Sequence, residues 1–393
     1  MNQALMVPLE ELMAARQGSV NPLNFADETF ELYSIPAFDS RKPEVLKGRD
    51  IGSTKQVVQS QDVLLSKIVP HIRRSWIVGP ASNFRQIASG EWIVFRSARV
   101  VPEYLRHALQ CDDFHAQFMQ TVSGMGGSLL RARPAQVAKI RIPLPTVSEQ
   151  RRIAAILDQA DALRAKRREA LAQLDRLAQS VFVEMFGDPV SNPMNWPESH
   201  VLGDVAEIVS GITKGRKISS SATRSVPYLA VANVQDKALS LAIVKKIEAT
   251  EDEIGRYALK KNDLLLTEGG DPDKLGRGTL WNDELPECIH QNHVFRVRLT
   301  HGEVHPLFLN WLVGSQRGKK YFLRSAKQTT GIASINMTQL RGFPLFMPPL
   351  AMQEAFAARI HAVEVQRQAQ VTALAELDTL FASLQHRAFA GQL

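Results

Sequence analysis

IPLPTVSEQRRIAAIL (Ile142–Leu157) and LFMPPLAMQEAFAARI (Leu345–Ile360) stand 203 positions apart, and each opens a long helical pattern. The first runs to SVFVEMFG, ending at Gly187; the second runs to SLQHRAFAG, ending at Gly391. The register does not slip: Gln150 matches Gln353, Ser180 matches Ser383 and Phe186 matches Phe389. A period this long exceeds the ~20–50 residues of a solenoid unit. The chain therefore reads as a duplicated domain, each copy followed by a helix.

The helix entry is well signalled. Pro145 precedes Thr146-Val-Ser-Glu149, a capping-box pattern in which hydroxyl and carboxylate satisfy free backbone N–H groups. From there Ile153, Ile156, Ala160, Leu163, Ala170, Leu174, Leu177 and Val181 recur at three- and four-residue steps, with Arg167 as the one polar entry. Phe356, Ile360, Val363, Val371, Leu374, Leu377 and Leu384 form a second stripe. Two matched stripes of this kind favour antiparallel pairing as a heptad seam. Gly187 and the following Pro189 supply a stop signal. A helix of ~38 residues at ~1.5 Å each spans roughly 57 Å.

The remaining segments read as mixed and strand-rich. Val57–Ser66, Ser75–Val78 and Trp92–Phe95 are candidate strands in the first half, with a helix from Pro102 to about Gln120. In the second half Val226–Val234, Asn262–Gly270, Gly278–Trp281 and Asn292–Leu299 are strands, Leu202–Lys217 leads into a glycine turn, and His305–Ser315 opens a helix. IPAFD at Ile35, QDVLLSK at Gln61, EWIVFR at Glu91 and VPEYLRHAL at Val101 keep that order in the first half. The expected class is α+β: two strand-rich domains (1–147 and 201–350), two long helices (148–187 and 351–393) and a Pro/Asn-rich linker (188–200), with pseudo-two-fold organisation.

Composition bounds the function. The 45% hydrophobic and 22% charged fractions are those of an ordinary globular protein. No apolar run reaches the ~18 residues of a membrane helix, so no membrane role is expected. MNQALMVPLEEL carries no basic segment before an apolar core, so no secretory signal is expected. Cys111 and Cys288 lie far apart, which fits a reducing, cytoplasmic setting. Of the net charge of +7, residues 1–148 hold 17 Lys/Arg against 13 Asp/Glu, and residues 188–350 hold 20 against 17. The helical stretches nearly cancel, at 7 against 6 and 3 against 4. A basic excess confined to the two domains points to a polyanion.

Catalytic motifs are missing from the sequence. There is no GxxxxGK[ST], GxSxG or HExxH, and no Asn/Asp-Pro-Pro-aromatic tetrapeptide to hold a target amine; Asp271-Pro272-Asp273 is only an echo. The cluster at Gly124-Met-Gly126-Gly127 lacks dinucleotide spacing and reads as a turn. Cys288, His290 and His293 are ligand types, but a strand puts His293 on the opposite face from the other two, and no second CxxC or HxxxH completes a zinc set. No metal or cofactor is expected in this chain.

What remains is cations on polar loops. GGDPDKLGRG (Gly269–Gly278) carries Lys274 and Arg277, and the Gly211 loop carries Lys214, Arg216 and Lys217. KIVPHIRRSW places Lys67, Arg73 and Arg74 at the equivalent point of the first half, and Arg85 follows. These side chains grip phosphates and read guanine edges. Each alone reads as a solvated surface charge; their recurrence in both halves reads as DNA contact. The segments Gly126–Arg133 and Thr329–Asn336, ahead of the two helix entries, either line that surface or simply turn the chain.

With these residues assembled, the chain resembles the specificity subunit of type I restriction–modification enzymes. The likeness rests on LGDVAEIVSGITKGR at Leu202, VPYLAVANV at Val226, NDLLLTEGGDPDKLGRG at Asn262, HQNHVFRV at His290 and the paired entries Pro145/Gln150 and Pro348/Gln353. The first domain departs from it, with KIVPHIRRSW in place of the glycine-rich loop and VPLEELMAARQGS in place of LGDVAEIVSG. The resemblance implies a non-catalytic subunit whose two target-recognition domains each read half of a bipartite, asymmetric site in double-stranded DNA. It implies helices that set the gap and dock two modification subunits through residues such as Ile153, Ile156, Leu163, Leu174, Leu177, Phe356, Ile360, Val363, Leu374 and Leu377. It also implies two restriction subunits, with S-adenosylmethionine, ATP and Mg²⁺ used by the partners. Open alternatives are a partner that fuses nuclease and methyltransferase, an enzyme with an unseen motif, and a coiled-coil scaffold without DNA.

Overall fold

The structure, a computed structural model, describes residues 5–15, 18–124, 130–217, 222–271, 274–329 and 332–393. Met125 to Gly127 of the glycine cluster, Pro272 and Asp273, and residues 126–129 and 330–331 ahead of the helix entries lie outside them. The chain divides into two units, Met1–Ala170 with Gln370–Leu393, and Leu171–Ala369. Each of two 40-residue helices, Val147–Phe186 and Leu350–Phe389, is shared between the units. Among the described residues no helix is long and apolar enough to cross a membrane.

In unit 1, β1 (Leu5–Pro8), β2 (Val63–Ser66), β3 (Ser75–Ile77), β4 (Trp92–Phe95) and β5 (Arg141–Leu144) frame the core that meets the helices. β2 lies centrally, antiparallel to β3 and β4, and β1 pairs with β5. A five-stranded sheet that includes Thr29–Tyr33 and Arg85–Ala88 as parallel neighbours packs on this frame, its Tyr33 and Ala88 clustering with Leu64, Trp76 and Trp92. Two helices follow, α1 (Pro102–Ala108) and α2 (Asp112–Gln120).

Unit 2 repeats this frame with β6 (His200–Val201), β7 (Ala206–Ser210), β8 (Leu264–Thr267), β9 (Gly278–Leu280), β10 (Val294–Leu299) and β11 (Pro344–Leu345). β8 lies between β9 and β10, and β6 pairs with β11. α3 (Pro306–Val313) and α4 (Gln316–Ser325) complete it. A proline opens both α1 and α3, where its missing N–H costs nothing.

The expected strand Val57–Ser66 is two strands, Lys55–Val57 and β2, separated by a turn. Gln61 takes φ 73° there, and the buried Asp62 carboxylate accepts the Gln59 N–H at 2.9 Å. Unit 2 builds the same turn with Asn262 at φ 70° and Asp263 accepting from Lys260 N–H at 2.7 Å. Each aspartate then takes a two-pronged arginine: Arg96 on Asp62 at 2.6 and 2.5 Å, Arg298 on Asp263 at 2.7 and 2.7 Å. Bidentate pairing of a buried carboxylate fixes orientation as well as charge. The single helix expected over Pro102–Gln120 also breaks in two. Cys111 is extended, and Asp112 and Asp113 start a new helix whose positive end favours them.

At the entry to the first long helix Thr146 Oγ1 accepts the Glu149 N–H at 3.3 Å. The Glu149 carboxylate turns to Arg152 instead of closing the box. Gly187 at φ 79° and Gly391 at φ 71° follow the two helix ends. Within each unit the helix segments run antiparallel, Arg164 meeting Asp378 at 2.6 Å in unit 1 and Arg367 meeting Asp175 at 3.1 Å in unit 2.

The seam differs from the expected one by one residue in alternate turns. Ile153, Ala160 and Val181 are buried as expected, but their partners are Leu157 and Ala178, while Leu163 and Leu177 are 45% and 48% exposed. One residue is ~100° around a helix, so Arg164 and Ala178 take the places that the more apolar leucines suggested. Arg164 lies over the Phe381 ring at 4.2 Å, and Ala178 leaves room in a core crowded by Phe182, Phe186, Trp311 and Phe356. On the second helix Phe356 and Ile360 are buried, Val363, Leu374, Leu377 and Leu384 are half-buried, and Val371 faces out. Leu174 and Ile156 are half-buried.

Two buried glutamines join helices to domains. Gln150 accepts the Val101 N–H at 2.8 Å and donates to the carbonyls of Arg99 and Pro145 at 3.1 and 2.9 Å. Gln353 accepts the His305 N–H at 2.8 Å and donates to the carbonyls of Glu303 and Pro348 at 3.1 and 2.9 Å. Removing such a side chain strands three backbone groups at the helix entry, where the glutamine itself is buried. Gln353→Ala is expected to destabilise the chain by about 2–4 kcal/mol, read by urea unfolding followed through tryptophan fluorescence. A midpoint equal to that of the wild type would show the clamp to be dispensable.

Candidate nucleic-acid interface

The connection from β8 to β9 carries Lys274 and Arg277 and is held at both ends. Gly269–Gly270 pairs with Ile332–Ser334, and Thr267 N–H donates to Arg277 O at 3.1 Å. Between them Gly276 turns at φ 74°, where a Cβ would lie 2.7 Å from the Phe322 ring. Only glycine suits both the positive φ and the contact. Leu275 is buried beside it.

Lys274 pairs with Asp271 across three residues. Arg277 is half-buried; its Nη1 donates to Gln235 Oε1 at 3.1 Å, while its Nε is enclosed without a hydrogen-bond partner. Lys214 and Lys217 stand exposed on the Gly211 loop. Arg216, on the same loop, folds inward: Nε and Nη2 meet the Glu253 carboxylate at 2.5 and 2.6 Å, and Nη2 also reaches Glu248 O at 3.0 Å. That donation pulls Glu253 down to about 2 despite partial desolvation, with the Thr250 N–H helping.

The cations of unit 1 are more fully engaged within the chain. Lys67 is half-buried, 3.9 Å from Glu91. Arg73 donates to Asp112 at 2.6 Å and to Gln110 O at 3.0 Å. Arg74 is 12% exposed at its side chain and 3.8 Å from Asp39. Arg85 grips Glu28 at 2.9 and 2.5 Å and lies over the Phe25 and Phe30 rings at 4.5 and 5.0 Å. These contacts hold Arg74 and Arg85 as parts of the domain's own packing. The structure thus sorts the nine expected contact residues into two exposed loop cations (Lys214 and Lys217), cations that already have carboxylates, and the half-buried Arg277, which is held by Gln235.

The helix that His305–Ser315 is expected to open is α3, and α4 follows it without having been among the expected elements; its QRGKKYFLRS holds Arg317, Lys319, Lys320 and Arg324 with no acid. That charge run was the available signal. Arg317 turns inward to Glu198 at 2.8 Å, and Lys320 and Arg324 are exposed.

The ligand types around His290 do not converge. Cys288 and His290 are buried, and burial pushes the thiol up to about 12 and the imidazole down to about 4. His290 Nδ1 meets Val294 O at 2.7 Å, whereas His293 is exposed and meets Glu268 at 2.5 Å. Burial likewise pushes the Cys111 thiol up to about 11. Among the described residues no His/Cys/Asp/Glu group is arranged to hold a metal ion.

Residues 194–374 match the family model of the type I restriction modification DNA specificity domain. The chain is 23% identical over 311 residues to the specificity subunit of the type I restriction enzyme StySPI of Salmonella potsdam, covering 75% of this chain and 66% of that one. It is 24% identical over 284 residues to the EcoKI specificity subunit of Escherichia coli K12, covering 68% and 61%. The chain thus spans just under two thirds of the length of these curated relatives. A chain solved in work on complex assembly and conformational transition of the type I R-M system has a TM-score of 0.59 at 21% identity, with 100% and 99% coverage. The S subunit of the type I restriction–modification system of M. genitalium gives 0.55 at 12% identity, with 99% and 97% coverage. These structures share the fold.

The Arg216–Glu253 pair has a pH signature. Glu253 is depressed from its ordinary 4.5 to about 2, so its stabilisation is complete above the ordinary value and is lost as pH falls towards 2. Arg216→Ala is expected to return Glu253 towards its ordinary range, seen by NMR titration of its carboxyl, and to move acid unfolding to higher pH. A titration unchanged by the substitution would detach the shift from Arg216.

Proposed function

We propose that this chain, a member of the type I restriction–modification specificity-subunit family, recognises a bipartite sequence in double-stranded DNA and directs modification and restriction subunits to it. One observation carries this reading: the two units share a frame and differ at their loops. The glutamine clamp and the Asp–Arg brace recur in both. The strand-joining connection, by contrast, is KIVPHIRRSW in one and GGDPDKLGRG in the other. Similar frames hold a common geometry against shared partners, and different loops read different half-sites.

In this reading each unit is a target-recognition domain, and loop cations supply phosphate contacts and base readout. The chain is a non-catalytic subunit. S-adenosylmethionine, ATP and Mg²⁺ serve the partner subunits, two for modification and two for restriction. The long helices set the gap, and their outward Leu163, Leu177, Val365, Val371 and Leu380 offer apolar surface to the modification subunits. All four curated relatives are specificity subunits of type I enzymes, which favours this over a fused nuclease–methyltransferase partner.

Two experiments test the reading. Methylome sequencing of cells expressing the chain with its modification subunit should return a split motif of two different halves with a fixed gap. A continuous motif, or none, would reject it. The pairing of Asp175 with Arg367 indicates where to lengthen the helices: one heptad after Leu174 and one after Arg367. Seven residues add about 10.5 Å, so the gap should grow by about three base pairs at ~3.4 Å each. An unchanged gap in the same assay would remove the helices as the ruler.

A further inference from the structure

Unit 2 contains a small cavity, about 80 Å³, whose wall includes Asp236, Lys274, Gly276, Arg277, Gly314 and Lys319. Three cations from two elements therefore face one carboxylate. Lys274 is paired with Asp271, which leaves Arg277 and Lys319 as the groups on which the cavity's charge depends. The Arg277 guanidinium is aimed: Gln235 donates through Nε2 to Ala232 O at 2.8 Å, which turns its Oε1 towards Arg277 Nη1 at 3.1 Å. Arg277 Nε is enclosed with no hydrogen-bond partner, a cost normally met by an acceptor. Two wall positions are close-packed glycines. A Cβ at Gly276 would enter the Phe322 ring, and one at Gly314 would come within 3.3 Å of Asn310 O.

Unit 1 shows what is missing. There α2 stands where α4 stands in unit 2 and begins with Asp112 and Asp113, and Arg73 of the β2–β3 connection donates to Asp112 at 2.6 Å. Unit 1 neutralises its loop cation from its own helix. In unit 2 the helix brings Lys319 instead of a carboxylate. Burial pulls the neighbouring Lys237 below its ordinary range; the Asp236 carboxylate opposes that shift and Lys319 adds to it. With Asp236 as the one carboxylate in the wall against Arg277 and Lys319, the cavity keeps an excess of positive charge that a bound anion would balance.

We propose that this cavity receives one phosphate of the DNA backbone, with Arg277 and Lys319 as donors and Gln235 as the positioning residue for Arg277. The proposal rests on the DNA-binding reading above. The volume exceeds several-fold the ~10–15 Å³ that one water needs on this measure, which leaves room for the free oxygens of a phosphodiester. A phosphate contact sets register and adds affinity without reading sequence, and so it leaves base readout to the exposed parts of the loops.

The test uses the full chain assembled with its modification subunit, and duplex binding by anisotropy across a salt series. Lys319→Ala should make the slope of log Kobs against log salt shallower by about 0.9. It should weaken cognate and scrambled duplexes by the same factor, and Lys319→Arg should restore the slope. Gln235→Ala should weaken binding several-fold at an unchanged melting temperature. A wild-type slope in Lys319→Ala, or a change in site preference instead of a uniform loss, overturns the phosphate assignment while the DNA-binding reading stands. If the wild-type assembly shows no salt-dependent duplex binding, both fall.

Discussion

The rest of the structure depends on one carboxamide used twice. Gln150 and Gln353 are 1% and 0% exposed, and each closes three backbone groups that no helix or strand can satisfy. Buried main-chain groups have to be paired, and here the chain crosses itself at the start of a long helix and the start of α1 or α3. A carboxamide carries both donor and acceptor capacity on a short, neutral stem, so it can bridge N–H and C=O without burying charge. Once the clamp is made, the first turn of each long helix has a fixed direction relative to its own domain.

That direction decides which helix faces are buried. The end of the first long helix enters the core of unit 2, where Phe186 meets Phe308 at 4.9 Å and Phe356 at 5.3 Å. The end of the second enters the core of unit 1, where Phe389 meets Tyr104 at 5.5 Å. Aromatic pairs of this kind contribute about 0.5–1.5 kcal/mol beyond area burial. The helices are therefore core elements at their ends. Away from the ends polar contacts take over: Arg164 with Asp378 and Arg167 with Gln370 in unit 1, Arg367 with Asp175 in unit 2. Such pairs stabilise weakly in solvent, but they specify which residue faces which.

Much of this was legible in the sequence because it was written twice. The matched spacing of Gln150 and Gln353 marks two equivalent positions, and glycines mark the helix ends. The seam was legible only to within one residue, because Leu163 looks more apolar than Arg164. Its burial depends on Phe381 and Asp378 arriving from more than 200 positions away. The candidate site was less legible for a related reason. Arg85 and Arg216 look like Lys214 in a string of letters, but Glu28 and Glu253 reach them from 57 and 37 positions away. Lys319 carries no motif of its own: only the packing of α4 places it beside the loop of Arg277.

The two copies have diverged in charge more than in frame. Asp62 and Asp263 keep the same turn and the same arginine, so a change there would unseat the central strand of its sheet. The surface beside that strand is free of such a constraint, because an exposed charge contributes little to stability. Unit 1 filled the position with carboxylates at the start of α2, and unit 2 filled it with cations on α4. A frame held by buried, directional bonds can thus present opposite electrostatics at equivalent places without a change of fold. A protein that presents two different sequences to one set of partners needs that separation between what is held fixed and what is left to vary.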